Sequence, residues 1–256
     1  MRQGEVDARQ RSLPSIYDPS GDGQQGHPAK LSAGDYAGHS RDLLSPAREM
    51  AEVITRGNPR LPEVALTFDD GPSQFTPQVL AILRRYGAKA TFFTIGQHCV
   101  QYPGYLQQAL AEGMAVGNHT FTHPHLPTLS RAAISQELSK TQSAVFDATD
   151  TRPAIFRPPY GEYNVDVLTA AARLGLTVVT WSAAADDWHH PQPAADEIAT
   201  RILGAAQHGA IFLLHEGGGD RSQTVAALPA IITGLQERGF SLVTIPHLLA
   251  NRHHIL

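Results

Sequence analysis

The sequence predicts an α/β fold in which parallel strands and crossover helices alternate into a distorted, incomplete (β/α)7 barrel. Three observations carry that expectation. Short apolar or β-branched runs alternate seven times with stretches of helical spacing. The runs are nearly continuous in apolar character, as strands covered on both faces require. Six of them are followed by polar or reactive residues: Asp69-Asp70, Gly96-Gln97, His119, Arg157, Asp186-Asp187 and His215. An open doubly wound sheet gathers its chemistry at one switch point, whereas a barrel collects it from many strand ends onto one rim. Residues 61–256 give 28 per unit over seven units. A full eight-unit barrel takes roughly 250 residues, so closure is expected to be incomplete.

Taken in order, residues 1–60 read as a polar leader, because segments such as Asp18–Gly26 are rich in turn formers and bury almost nothing. Near its end, Ser45-Pro46 offers an N-cap and a favoured first helical residue. Met50, Val53 and Ile54 share a face and Gly57 stops the pattern, which predicts a short helix near 46–56. Residues 61–256 form the main domain. Its strands are expected at Val64–Phe68, Ala90–Ile95, Met114–Gly117, Ala154–Phe156, Leu176–Trp181, Ala210–Leu214 and Ser241–Ile245. Between them, Leu80, Leu83 and Tyr86 make one helical stripe, and Leu106, Ala109 and Leu110 make another that Gly113 terminates. Further helices are expected over Arg131–Phe146, Val165–Leu174, Ala195–Ala206 and Thr224–Arg238. Trp181 reads as core.

Composition excludes several classes. Twenty basic against twenty-four acidic side chains leave a net charge of −4, so no strong field attracts nucleic acid or an anionic membrane. Apolar residues at 42% suffice for a sizeable core. Cys99 is the only cysteine, which rules out an internal disulfide framework and a cysteine-based zinc finger. No run of eighteen apolar residues exists to span a bilayer. Met1 opens no signal peptide, which predicts either a cytosolic protein or a trimmed N-terminus.

Two segments stand out chemically. Asp69 and Asp70 are adjacent carboxylates at a strand end; they repel, so each needs its own cation or proton. Alone, Asp-Asp-Gly-Pro is more often a turn. His119-Thr-Phe-Thr-His123 carries histidines four apart, a spacing that chelates metals on a helix, although Pro124 disfavours helical geometry at His123 and points to a loop or a helix start. Together, two imidazoles and a carboxylate make a three-ligand site with an open position for water, and the second aspartate is free to act as a base. His215 ends a strongly apolar strand, where a barrel would aim it into the mouth as a general acid. The prolines of Arg157-Pro-Pro-Tyr160-Gly161 hold that arginine and the Tyr160 backbone stiffly. Trp188 beside Asp187 suits either the surface or a site.

In this order the segments resemble the polysaccharide deacetylases of the NodB-homology group, carbohydrate esterase family four. The resemblance spans about Leu61 to Leu249. It rests on Thr67-Phe-Asp-Asp-Gly71, His119-Thr-Phe-Thr-His123, Arg157-Pro-Pro-Tyr-Gly161, Asp187-Trp188 and Leu213-Leu-His215. It implies that Asp70, His119 and His123 bind one divalent metal, zinc first, with cobalt, nickel or manganese able to use the same ligands. It further implies Asp69 as general base, Arg157 as its partner, His215 as general acid and Asp187 as the residue tuning His215. The Tyr160 N–H would help hold the oxyanion, while Trp188 and Leu213 would line the pocket for the acetyl methyl. The chain departs from the family at Ala184, where an aspartate usually stands, and at Glu216, where aspartate is usual. The implied reaction is removal of N-acetyl groups from N-acetylglucosamine polymers such as chitin oligomers or peptidoglycan. O-acetyl ester hydrolysis on xylan and a non-catalytic carbohydrate-binding barrel are the alternatives. Such glycans lie outside the cytoplasm, so an extracellular or cell-envelope location is expected, with the missing signal leaving the cytoplasm open.

Overall fold

In the computed structural model, which describes residues 50–252, nine strands pair in parallel throughout. They are β1 (Val53–Ile54), β2 (Glu63–Gly71), β3 (Ala90–Thr94), β4 (Ala115–Asn118), β5 (Ile155–Phe156), β6 (Thr177–Val179), β7 (Ala183–Ala184), β8 (Ile211–His215) and β9 (Ser241–Leu242). Eight helices connect or flank them: α1 (Thr76–Arg85), α2 (Gly96–Gln101), α3 (Pro103–Ala111), α4 (Arg131–Thr149), α5 (Val165–Arg173), α6 (Ala195–Gly204), α7 (Ser222–Glu237) and α8 (Ile245–Ala250). The leader read from segments such as Asp18–Gly26 lies outside the described residues.

The strand order is β1-β6-β5-β4-β3-β2-β8-β7, with β9 added at the start of β2. Only Thr180–Ser182 separate β6 from β7, which lie near opposite ends of that order. Four Cα steps reach at most about 15 Å at 3.8 Å each, so the sheet must curl back on itself. The Thr180 N–H donates to Ile54 O and the Ser182 N–H to Ile211 O, so this short link touches both sides of the seam. The fold is the incomplete, deformed barrel that the sequence predicts.

The period-2 alternation of the strands sorts the interior from the helical jacket. Val64, Leu66 and Phe68 of β2 and Phe212 and Leu214 of β8 pack outward with residues of α1, α6 and α7. Ala65, Phe93 and Ile211 pack inward, with Ile245 and Leu248 of α8 in the same cluster. The inward series on β2 continues through Thr67 to Asp69, and on β8 through Leu213 to His215. The alternation thus carries both side chains to one end of the barrel.

The helix expected near 46–56 is not formed over its described part. Val53 and Ile54 make β1 instead, pairing with Val178 and Val179. Their β-branched side chains suit a strand, and the long-range ladder outweighs a local helical spacing. This strand lies within the stretch read as leader, yet it belongs to the sheet. The run expected to extend to Ile245 is also shorter, because Ile245 opens α8 behind the Thr244 cap.

Candidate active site

Adjacent side chains of a regular strand point to opposite faces, so Asp69 and Asp70 could not share a cavity on an unbroken β2. A bulge resolves this. Asp69 pairs with Phe93 and Gly71 with Thr94, leaving Asp70 as the extra residue, at φ 70°. The inserted residue turns its carboxylate toward the same mouth as Asp69.

His119 follows β4 directly, and its Nδ1 lies 2.7 Å from the Arg157 carbonyl oxygen. A carbonyl only accepts, so Nδ1 carries the hydrogen and Nε2 presents its lone pair to the cavity. His123 sits in a loop rather than on a helix, with φ 61°, and its N–H donates to Thr120 Oγ1 at 3.1 Å. Glu137 of α4 holds that loop, accepting the Phe121 and Thr122 N–H groups at 2.9 and 2.8 Å. Burial, reinforced by the neighbouring His119, lowers the His123 pKa below that of ordinary histidine. For Asp70 burial acts in the opposite sense, yet the neighbouring imidazoles, His119 first and then His215 and His123, outweigh it and hold the carboxyl well below the usual range.

Asp70 Oδ1 is buried and has no hydrogen-bond partner. It lies 3.5 Å from His119 Nε2 and 3.2 Å from His123 Nε2, and ligand atoms of all three residues fall within 4.8 Å of one another. Tetrahedral ligands about 2.1 Å from a shared ion are roughly 3.4 Å apart. The donor set, its spacing and the orphaned oxygen therefore fit a divalent metal.

Asp69 stands beside this triad. Its Oδ1 accepts from Arg157 Nη1 at 2.8 Å, and its Oδ2 lies 3.7 Å from His119 Nε2. Arg157 is wholly buried, yet four of its N–H groups are satisfied: by Asp69, Thr67 Oγ1, Val179 O and Thr180 O. Its guanidinium also lies 4.1 Å from the centre of the Phe93 ring. One side chain thus neutralises Asp69 and satisfies two carbonyls at the open seam.

Across the cavity, His215 Nδ1 is 2.8 Å from Asp187 Oδ1. Asp187 Oδ2 accepts the His215 N–H and Thr224 Oγ1, each at 2.8 Å. Burial would lower the His215 pKa, but the Asp187 hydrogen bond and charge prevail and raise it.

The cavity between these walls holds about 290 Å³ and is lined by Asp69, Asp70, His119, His123, Tyr160, Trp181, Trp188, Leu213 and His215. Every expected site residue therefore lines it or, like Arg157 and Asp187, bonds to one that does. Trp188 meets His215 edge-on at 5.4 Å, which puts it in the site rather than on remote surface. Trp181 corrects the sequence reading: it is a half-buried wall of the cavity, not core. Its place just beyond β6, where other strands carry their functional groups, is the signal that could have found it. Tyr160 adopts φ 59° and is 53% exposed, its ring stacked on His125 with centroids 4.0 Å apart. Ala184 and Glu216 are not among the lining residues. Ala184 pairs with Leu213 across β7 and β8, and Glu216 is buried against Gly71, where a Cβ would lie 1.5 Å from its Oε1. Burial pushes the Glu216 carboxyl up to about 8.

The profile of the family described as polysaccharide deacetylase matches residues 56–179. The chain is 39% identical over 193 residues to the peptidoglycan-N-acetylglucosamine deacetylase PgdA of Listeria monocytogenes, covering 75% of this chain and 40% of that protein. A Bacillus cereus peptidoglycan-N-acetylglucosamine deacetylase is 39% identical over 191 residues, 74% of this chain and 89% of the relative. A chitooligosaccharide deacetylase of Bradyrhizobium is 40% identical over 198 residues, 72% of this chain and 90% of the relative. Among solved structures, the Bc1960 peptidoglycan N-acetylglucosamine deacetylase superposes with a TM-score of 0.75 at 34% identity, over 78% of this chain and 94% of that one. BA3943 of Bacillus anthracis, described as a pseudoenzyme of carbohydrate esterase family four, gives 0.71 at 31% identity, over 77% and 68%. The chain thus spans about two fifths of the length of the Listeria protein but most of the Bacillus cereus one.

Proposed function

The chain belongs to the polysaccharide deacetylase family, and on that premise we propose that it is a metal-dependent hydrolase removing N-acetyl groups from N-acetylglucosamine-containing glycan, either peptidoglycan or chitooligosaccharide. The observation that carries this reading is the complete division of labour around one cavity. An Asp70–His119–His123 triad and the Arg157-paired Asp69 face the Asp187-paired His215. A pseudoenzyme exists in the same fold, so likeness of fold alone is not the support; the residue set is.

An amide carbonyl is a weak electrophile and its amine a poor leaving group. Asp70, His119 and His123 would hold a divalent ion, zinc by their donor set, which would supply polarisation of the carbonyl and acidification of water. Asp69 takes the proton of the attacking water through Oδ2, while Arg157 fixes Oδ1 and balances its charge. Tyr160 lines the cavity, and its backbone N–H would serve the developing oxyanion, a donor worth roughly 3–4 kcal/mol in comparable sites. His215, kept protonated by Asp187, delivers its Nε2 proton to the departing nitrogen, leaving acetate and a free amino sugar. Leu213, Trp181 and Trp188 give the acetyl methyl an apolar seat and keep bulk water out. Substrates of this kind lie outside the cytoplasm, so the protein acts at the cell envelope or beyond it. Among the described residues no helix is long and apolar enough to cross a membrane.

Acetate release from chitin oligomers, peptidoglycan and acetylated xylan tests the reading. Turnover of the first or second by the zinc-loaded protein, abolished in Asp69→Asn, is expected. Turnover of xylan alone would make the protein an O-acetyl esterase. No turnover of any substrate with zinc bound would make it a carbohydrate-binding barrel.

A further inference from the structure

We propose that His98 is a positioning residue for the metal-binding carboxylate: it donates from Nδ1 to the main-chain carbonyl of Asp70 and so holds the bulge that aims this side chain at the two histidines. The inference rests on the reading of Asp70, His119 and His123 as ligands of one divalent ion.

Asp70 occupies φ 70°, a left-handed conformation that a non-glycine residue keeps only where its surroundings enforce it. His98 of α2 places Nδ1 2.8 Å from the Asp70 carbonyl oxygen. The carbonyl can only accept, so that nitrogen carries the hydrogen. Gly217 lies against the same carbonyl, where a Cβ would come within 2.1 Å of the oxygen. The peptide is thus gripped by a donor and packed against backbone, with no side chain of its own strand involved.

The start of α2 also grips the other ligand-bearing segment. The Ile95 N–H donates to Gly71 O at 2.9 Å, the Gly96 N–H to Thr120 O at 2.9 Å and the Gln97 N–H to Phe121 O at 3.1 Å. Gly96 permits this approach, since a Cβ there would lie 2.4 Å from the Phe121 ring. Four consecutive residues, 95 to 98, therefore tie the aspartate bulge to the histidine loop. His98 contributes the one bond of the set that comes from a side chain, and so the one that substitution can remove without altering the backbone.

The test is the zinc affinity of the metal-stripped protein, measured by calorimetry for wild type, His98→Asn and His98→Phe, with thermal unfolding of each stripped protein as the folding control. Asparagine places an amide N–H near the position of Nδ1 and is expected to keep wild-type affinity. Phenylalanine keeps a ring but no donor, and is expected to lose about 10- to 100-fold, as removal of groups that orient ligands does elsewhere. Should His98→Phe not fold, His98→Leu takes its place; it fills part of the space of the ring with no donor, and the same loss is expected. A folded donor-less variant with wild-type affinity would overturn the role of His98, as would an asparagine variant that loses as much as phenylalanine. Failure of the wild type itself to bind zinc would instead overturn the metal reading beneath it.

Discussion

The two walls of the cavity are built on opposite plans. On the wall of Asp70, His119, His123 and Tyr160, three of the four named residues take left-handed backbone, as does Thr120 between the histidines. A buried carboxylate oxygen there has no partner. On the wall of His215, both oxygens of Asp187 are bonded, to the ring and N–H of His215 and to the Thr224 hydroxyl. The Asp187 carbonyl is likewise taken, by Arg221 Nη1 at 2.9 Å. Only Asp186 strays to positive φ among the non-glycine residues there. Each left-handed residue costs of order 1–3 kcal/mol, so the first wall stores strain where the second stores little. The strained wall leaves a buried carboxylate oxygen free for a cation, whereas the acid wall completes itself. The difference teaches which half of the site a bound cation would stabilise.

That contrast breaks most severely at His119. His119→Ala is expected to lower kcat/KM by about 10³-fold or more, the scale of several kcal/mol of lost charge stabilisation. It should also abolish the stabilisation by metal, which for wild type is about 2.7 kcal/mol at a zinc concentration one hundred times Kd. Unfolding scans with and without zinc read this directly. His215→Ala strikes the other wall: a loss of roughly 10²- to 10⁴-fold in kcat is expected, with the zinc-induced rise in Tm unchanged. An equal effect of zinc on both variants would contradict the independence of the walls.

Asp187→Asn sharpens the comparison further. His215 must be protonated to act as an acid, and Asp187 raises its pKa, so activity falls as pH climbs through that raised value. The variant lowers it, so the alkaline limb of kcat should move to lower pH. Activity on that limb, read from a pH–rate profile, should drop about tenfold for every pH unit by which the limb moves. The smallest expected effect on turnover is at Glu216. Its folded-state pKa of about 8 lies above the unfolded value, so the folded chain holds a proton that the unfolded chain has released. Stability conferred by the neutral carboxyl is full below about 4.5 and lost as pH rises toward 8. In metal-stripped protein, Glu216→Gln should flatten the fall of Tm across that window and leave Tm little changed at its acid end.

The sequence made the seven principal strands legible because both faces of the sheet are buried, which turns β2, β3 and β8 into unbroken apolar runs. It concealed β1 because Val53 and Ile54 continue a helical spacing from Met50, and β7 because Ala183 and Ala184 are neither β-branched nor aromatic and so carry no strand signal. Within the site, residue types at strand ends picked out both aspartates, the histidine pair, Arg157 and His215, while the family resemblance supplied the places of Tyr160, Asp187, Trp188 and Leu213. Geometry that depends on the backbone was not legible. Nothing in Asp-Asp-Gly announces a bulge, nothing in His119-Thr-Phe-Thr-His123 shows that Glu137 clasps the loop between them, and Trp181 passes for one more apolar residue at the end of a strand. Thr224 and Arg221 support Asp187 from a distance of more than thirty residues along the chain, which no local pattern reveals.

The most direct test is a crystal of the zinc-soaked protein examined by anomalous scattering at the zinc edge. One strong peak about 2.0–2.2 Å from Asp70 Oδ1, His119 Nε2 and His123 Nε2 is the predicted result. No peak in this cavity, or one whose ligands exclude Asp70, would contradict the account.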